Sequence, residues 1–172
     1  IVTCFLRPEA MILLFALVTG LTIWEFTGIV NNIEGVTTHR LITTVAGVYF
    51  FFSIAGYFSG IVPSAVFIPY LLTIVYLFIA ELYTKAPNPI NNWAYTMLAQ
   101  MYIALPFSTI NVLAFRATGD GVVYNYLLPL SVFIFLWTND TGAYLSGSLF
   151  GKHMKLPSHT TAKSWEVSNG AG

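Results

Sequence analysis

The sequence predicts an all-α fold, a polytopic transmembrane helical bundle of about five spans. Three observations carry that reading. Of the 172 residues, 56% are hydrophobic and only 8% charged, whereas a soluble domain covers its surface with roughly a quarter charged residues. The apolar residues fall in runs of bilayer length, about 20 residues each. The runs are apolar on every face, where a transmembrane barrel would alternate apolar and polar residues. The same apolar content excludes disorder. Seven Lys plus Arg balance seven Asp plus Glu, so no bulk charge draws the chain to nucleic acid. The single cysteine, Cys4, excludes an internal disulfide and a cysteine metal cluster.

The predicted spans follow in order. The first covers 10–30 and is interrupted only by Glu25 near its end. Residues 41–80 hold no Asp, Glu, Lys or Arg, enough for two spans, 41–58 and 63–80. Their divide is Ser59-Gly60-Ile61-Val62-Pro63, because Gly and Pro punctuate helices. A fourth span runs over 93–115, with Pro106 placed to kink it. A fifth, 122–143, ends in a polar turn, and 144–172 reads as a polar cytoplasmic segment. The connections, Asn31 to Arg40, Ser59 to Val62, Glu81 to Asn92 and Arg116 to Gly121, are short and polar. Trp24, Tyr83, Trp93, Tyr95 and Trp137 lie near span ends, as interfacial aromatics do. A start at Ile1 without a basic leader and a stop after a polar segment read as one integral-membrane domain, 1–172, that is a fragment of a longer protein.

Lys and Arg in short loops set the orientation. With five spans, Arg7 and Arg116 share one side; Arg40, Lys85, Lys152, Lys155 and Lys163 share the other. The richer side is the cytoplasmic one, which places the tail after Trp137 there.

Chemistry is sparse in the first four spans. Glu25 is the one ionisable group read inside a span; its place near the interface favours snorkelling over a buried role. The tail is different. Asp140 follows a long apolar run at the mouth of the fifth span, with Thr138, Asn139 and Thr141 as neutral oxygen donors beside it, a donor type suited to magnesium. A basic stretch, Lys152, His153, Lys155, His159 and Lys163, follows and suits phosphate. Each piece also has a structural explanation. Asp140 can cap a helix beginning at Thr141, Gly147-x-x-x-Gly151 can serve close helix packing, and a basic tail can be a topology signal. No Walker loop, zinc motif or Ser-His-Asp arrangement is present.

Taken together, these residues resemble the phosphatidate cytidylyltransferases (CDP-diacylglycerol synthases). Trp24-Glu25-Phe26 matches the family's Trp-Glu-Phe at the end of an N-terminal helix. Asp140, Gly142, Ala143, Tyr144, Gly147, Gly151 and Lys152 match its Asp-x-Gly-Ala-Tyr, Gly, Gly-Lys block. Lys163, Ser164, Trp165 and Glu166 match part of a later segment. Thr160-Thr161-Ala162-Lys163 stands where the family has Ser-Pro-Lys-Lys, and Val167 where it has Gly. The family's C-terminal signature region is not matched within the chain.

The resemblance implies transfer of CMP from CTP to phosphatidate, giving CDP-diacylglycerol and pyrophosphate, with Mg2+ as cofactor. Its partners would be CTP, phosphatidate and the lipid bilayer, with a homodimer as a further arrangement and no nucleic acid. The implied membrane is the bacterial inner membrane, with the active side cytoplasmic. Asp140 would bind the metal and act in catalysis with Lys163 and Glu166. Asn139, Gly142, Tyr144, Gly147, Gly151, Lys152 and Ser164 would form the substrate site. The chain by itself is expected to be incomplete and inactive. Two alternatives remain at this point: a non-catalytic transporter or channel subunit, and a CTP-dependent lipid or polyprenol kinase.

Overall fold

The structure is a computed structural model that describes residues 6–84 and 86–150. It divides into two compact units between Tyr126 and Leu127. In the first unit, α1 (Pro8–Val30) starts on a proline whose missing N–H is harmless in a first helical turn. A loop leads to α2 (Arg40–Phe58). This helix stops at Gly60, whose φ of +75° allows the Ile61 N–H to reach the Gly56 carbonyl at 3.0 Å and the Gly60 N–H to reach that of Tyr57 at 3.0 Å. Those two bonds satisfy carbonyls that a helix end otherwise leaves open.

A short 3-10 turn (Ser64–Phe67) runs into α3 (Ile68–Tyr83). Next, α4 (Pro89–Leu98), a π-helical turn (Ala99–Ala104) and α5 (Leu105–Ala114) follow one another without a break. Pro106 is the second residue after the π turn. It cannot donate to the Tyr102 carbonyl, and the wider turn is where that defect falls.

The connection read as a simple loop, Arg116 to Gly121, is a β-hairpin. β1 (Phe115–Thr118) pairs antiparallel with β2 (Gly121–Tyr124) in the register Phe115↔Tyr124 to Thr118↔Gly121. Gly119-Asp120 forms its loop, and Gly121 takes a φ of +130°. β-branched Val122 and Val123 beside a Gly-Asp pair favour this pairing over the start of a helix. The Tyr124 hydroxyl meets the Met11 sulfur at 3.4 Å. Burial, aided by the Glu9 carboxylate, raises its pKa above the ordinary 10.0.

Among the described residues, four stretches are long and apolar enough to cross a membrane: 8–30, 40–58, 64–83 and 89–114. They form a helical membrane bundle. The stretch read as a fifth span, 122–143, is divided instead. Residues 121–124 are strand, and the second unit begins with α6 (Leu127–Phe150). The apolar part of α6, Leu127 to Trp137, extends about 16 Å as helix, roughly half of a hydrocarbon core.

The bundle buries polar and small residues alongside large apolar ones. On α1, Met11, Phe15, Thr19, Ile23 and Thr27 recur every fourth residue and are buried, while Leu13, Leu17 and Leu21 face outward. In lipid, helices gain little by hiding leucine from one another, so close packing and hydrogen bonds decide the interface. The Thr19 and Thr27 hydroxyls return to the carbonyls of Phe15 and Ile23, 2.7 Å each, which makes them admissible inside. A side chain on Gly47 would collide with Ile23, so α1 and α2 cross closely there, against Ala104 of the π turn. The core cluster at this crossing is Ile23, Ala99, Ile103 and Ala104. Gln100 ties the same turn to α2 and α3: its amide donates to the Thr43 carbonyl at 2.8 Å, and its oxygen accepts from the Tyr70 hydroxyl at 3.4 Å.

Candidate functional site

The second unit carries the described part of the predicted site. Asp140 was expected at a span mouth or as the cap of a new helix; it lies in the interior of α6. Asn139-Asp140-Thr141-Gly142 lowers helix propensity but supplies no stop. Gly142 does not take a positive φ, and the next proline is Pro157. For the same reason residues 144–150, read as part of a polar tail, are helix.

Helical geometry then sorts the predicted residues. Asp140, Tyr144 and Gly147, spaced i, i+4 and i+7, share one face. Asn139 and Thr141 flank Asp140 at about 100° on either side, and Thr138 and Gly142 point away at about 200°. The Thr138 hydroxyl donates to the Ile134 carbonyl at 2.6 Å, and Ser146 and Ser148 return to Ala143 and Leu145 at 3.1 and 3.0 Å. Asp140 and Tyr144 are exposed. The helix thus presents an exposed carboxylate, a phenol one turn on, and a glycine beyond it on the same face. Gly151, Lys152, Lys163, Ser164 and Glu166 lie outside the described residues.

The bundle holds a second polar cluster, which the sequence reading passed over as a loop. Glu81, in the last turn of α3, is 3% exposed, and Asn92, in the first turn of α4, is 1% exposed. The Asn92 amide donates to Glu81 Oε1 and its oxygen accepts from the Thr37 N–H at 2.8 Å. His39 Nε2 stands 3.8 Å from Glu81 Oε2. Asn31 closes the same loop, accepting from the Thr38 N–H at 2.7 Å and hydroxyl at 2.8 Å and donating to its carbonyl at 3.1 Å. A buried carboxylate is tolerable only with such donors. The available signal was the hydropathy run continuing through Glu81 to Tyr83.

Among the described residues, no three His, Cys, Asp or Glu side chains come together to hold a metal. A lone exposed carboxylate with an adjacent amide still fits magnesium, which takes one or two protein carboxylates and fills its other positions with water and substrate phosphate.

The sequence profile of the cytidylyltransferase family matches residues 1–171. The chain belongs to that family. A phosphatidate cytidylyltransferase of Haemophilus influenzae is 38% identical over 88 residues, 46% of this chain and 30% of the relative. The match thus spans about a third of that relative's length. No solved structure matches.

Proposed function

We propose that this cytidylyltransferase-family chain is part of an enzyme that transfers CMP from CTP to phosphatidate, releasing pyrophosphate and forming CDP-diacylglycerol. The observation that carries the reading is the exposed Asp140 and Tyr144, with Gly147 on the same face of α6, in a chain matched over 1–171 by this family. The location is the bacterial inner membrane, with the α6 face served from the cytoplasm. Counted over the four spans of the bundle, Arg7, Arg116, Lys152, Lys155 and Lys163 share a side and outnumber Arg40 and Lys85; that count and the bacterial relative support it. CTP, phosphatidate and the bilayer are the partners, with a second copy of the chain as a further one.

The chemistry explains the residue types. A phosphate oxygen of phosphatidate attacks the α-phosphorus of CTP, the α–β bridge breaks, and pyrophosphate departs. Both reactants are polyanions, so the barrier is largely repulsion. Asp140 would hold a magnesium ion, with Asn139 or Thr141 in reach as a neutral oxygen donor. The ion, when bound, neutralises triphosphate charge. Tyr144 offers a ring face or a hydroxyl to the nucleotide, and the bare backbone at Gly147 allows close approach; Gly142, on the other side of α6, would let a neighbouring helix come close. Lys152 and Lys163 would contact phosphates, Glu166 would orient Lys163, and Gly151 and Ser164 complete the binding segment.

The test is the full-length protein in membranes with labelled CTP and phosphatidate. CDP-diacylglycerol is the expected product. A phosphorylated alcohol would instead identify a lipid kinase, and no turnover would favour a non-catalytic membrane protein.

A further inference from the structure

The Trp24-Glu25-Phe26 motif has no part in the chemistry above, yet Trp24 is joined to a distinctive cation. The Arg40 guanidinium lies 4.2 Å from the centre of the Trp24 ring, and one of its terminal nitrogens donates to the Trp24 carbonyl at 2.9 Å. Gly28 makes this possible. It sits one turn beyond Trp24, and a Cβ there would stand 2.8 Å from the Arg40 Nη2. With no side chain in the way, the helix carbonyl is reachable from the side.

The cation is under-used. A guanidinium has five N–H donors. Arg40 Nε is buried with no hydrogen-bond partner among the described residues. At this end of the bundle the ion pair joins His39 to Glu81, and no described carboxylate stands within 4.0 Å of Arg40. Neighbouring Glu25 is exposed.

Below the same tryptophan runs a groove of about 580 Å³ between α1 and α2, from Trp24 and Thr44 past Leu17 and Val48 to Leu13 and Phe52. Leu13 to Trp24 spans about 16 Å along the helix. That is close to half of a ~30 Å hydrocarbon core, the length occupied by one acyl chain of one leaflet. A positive, donor-rich head and an apolar trough one leaflet deep are complementary to a single class of molecule.

We propose that Arg40, Trp24 and the α1–α2 groove form a binding site for an anionic phospholipid. The phosphate is held by the remaining Nη donors of the guanidinium, Nε being buried, and one acyl chain lies in the groove. Arginine suits this role because its planar fork bonds two phosphate oxygens at once while its face stays on the ring. Trp24 acts by fixing the guanidinium plane, and Gly28 by admitting it. The site uses no group of α6 and does not depend on the CTP reading.

Native mass spectrometry of the full-length protein, released from micelles with phosphatidylglycerol or phosphatidylcholine, tests it. Wild type should retain phosphatidylglycerol at least tenfold over phosphatidylcholine. Arg40→Gln should remove that preference. Gly28→Ala, which keeps every charge but displaces the guanidinium, should reduce it severalfold, while Arg40→Lys should keep part of it. Thermal midpoints within a few degrees of wild type identify folded variants, and Gly28→Ala carries the test if Arg40→Gln does not fold. Equal retention of the two lipids, or a preference unchanged in a folded Gly28→Ala or Arg40→Gln variant, would overturn the proposal. Displacement of the lipid by millimolar glycerol 3-phosphate would also overturn it, since the occupant would then be a free phosphate.

Discussion

Two places in this protein set a carboxylate beside an asparagine, and they are opposites. Glu81 is sealed between helix ends, with Asn92 donating to it and His39 facing its second oxygen. Asp140 stands exposed on α6, with Asn139 next to it in sequence and about a quarter turn away. The first arrangement turns its carboxylate inward onto the Asn92 amide, and through Asn92 holds the 31–39 loop against α3 and α4. The second leaves its oxygens free. Available lone pairs, more than the presence of charge, are what the role proposed for Asp140 requires and what Glu81 lacks.

The comparison can be broken by substitution, and the largest effect is expected at the exposed site. Asp140→Asn in the full-length protein should lower CMP transfer by about a hundredfold or more, as loss of a charge-stabilising group does. Its unfolding midpoint should stay at the wild-type value, because nothing described packs on that carboxylate. A variant keeping a tenth of the activity would remove Asp140 from the metal site.

Asn92→Leu should show the reverse pattern. It strips the amide donor from a buried carboxylate and the acceptor from the Thr37 N–H, a loss of about 2–3 kcal/mol. Denaturant unfolding in micelles would record it, and an unchanged midpoint would mean that Glu81 finds water instead. Glu25→Gln is the control on an exposed acid of this bundle end. Being exposed, it should change stability by no more than about 0.5 kcal/mol.

The smallest effect is expected at Asn111, which is fully buried with its Oδ1 unpartnered among the described residues. Its amide makes only a 3.3 Å bond to the Ser108 carbonyl. Asn111→Leu exchanges that weak bond for an apolar side chain of the same branching and somewhat larger volume, so the gain in burial and the tighter fit offset and the midpoint should change little. A clear drop would assign the amide a partner that packing alone does not supply.

Much of the fold was legible because hydropathy acts locally. A run of about 20 apolar residues has few options in a bilayer except to form a helix. Pro and Gly at 59–63 marked a divide that Gly60 does enforce through its positive φ. The hairpin at Phe115–Tyr124 was missed although Gly119-Asp120 between β-formers announces it. The overall apolarity of the region outweighed that local signal. Of the site, the residue types of the Asp140 block were readable, but not that α6 runs through them. Helix continuation depends on the absence of a stop as much as on the propensity of each residue.

The amino-acid order alone determined that the chain enters a membrane, where most of its helices lie and which residues bear the family's block, since composition and motif are properties of the chain. Only the folded molecule decided that Glu81 is buried and Asp140 exposed, that Arg40 lies on Trp24 across Gly28, and that Gln100 bridges three helices. Those facts depend on which residues from distant parts of the chain meet, and in lipid that meeting is governed by packing shape and hydrogen-bond pairing, which a hydropathy pattern does not encode.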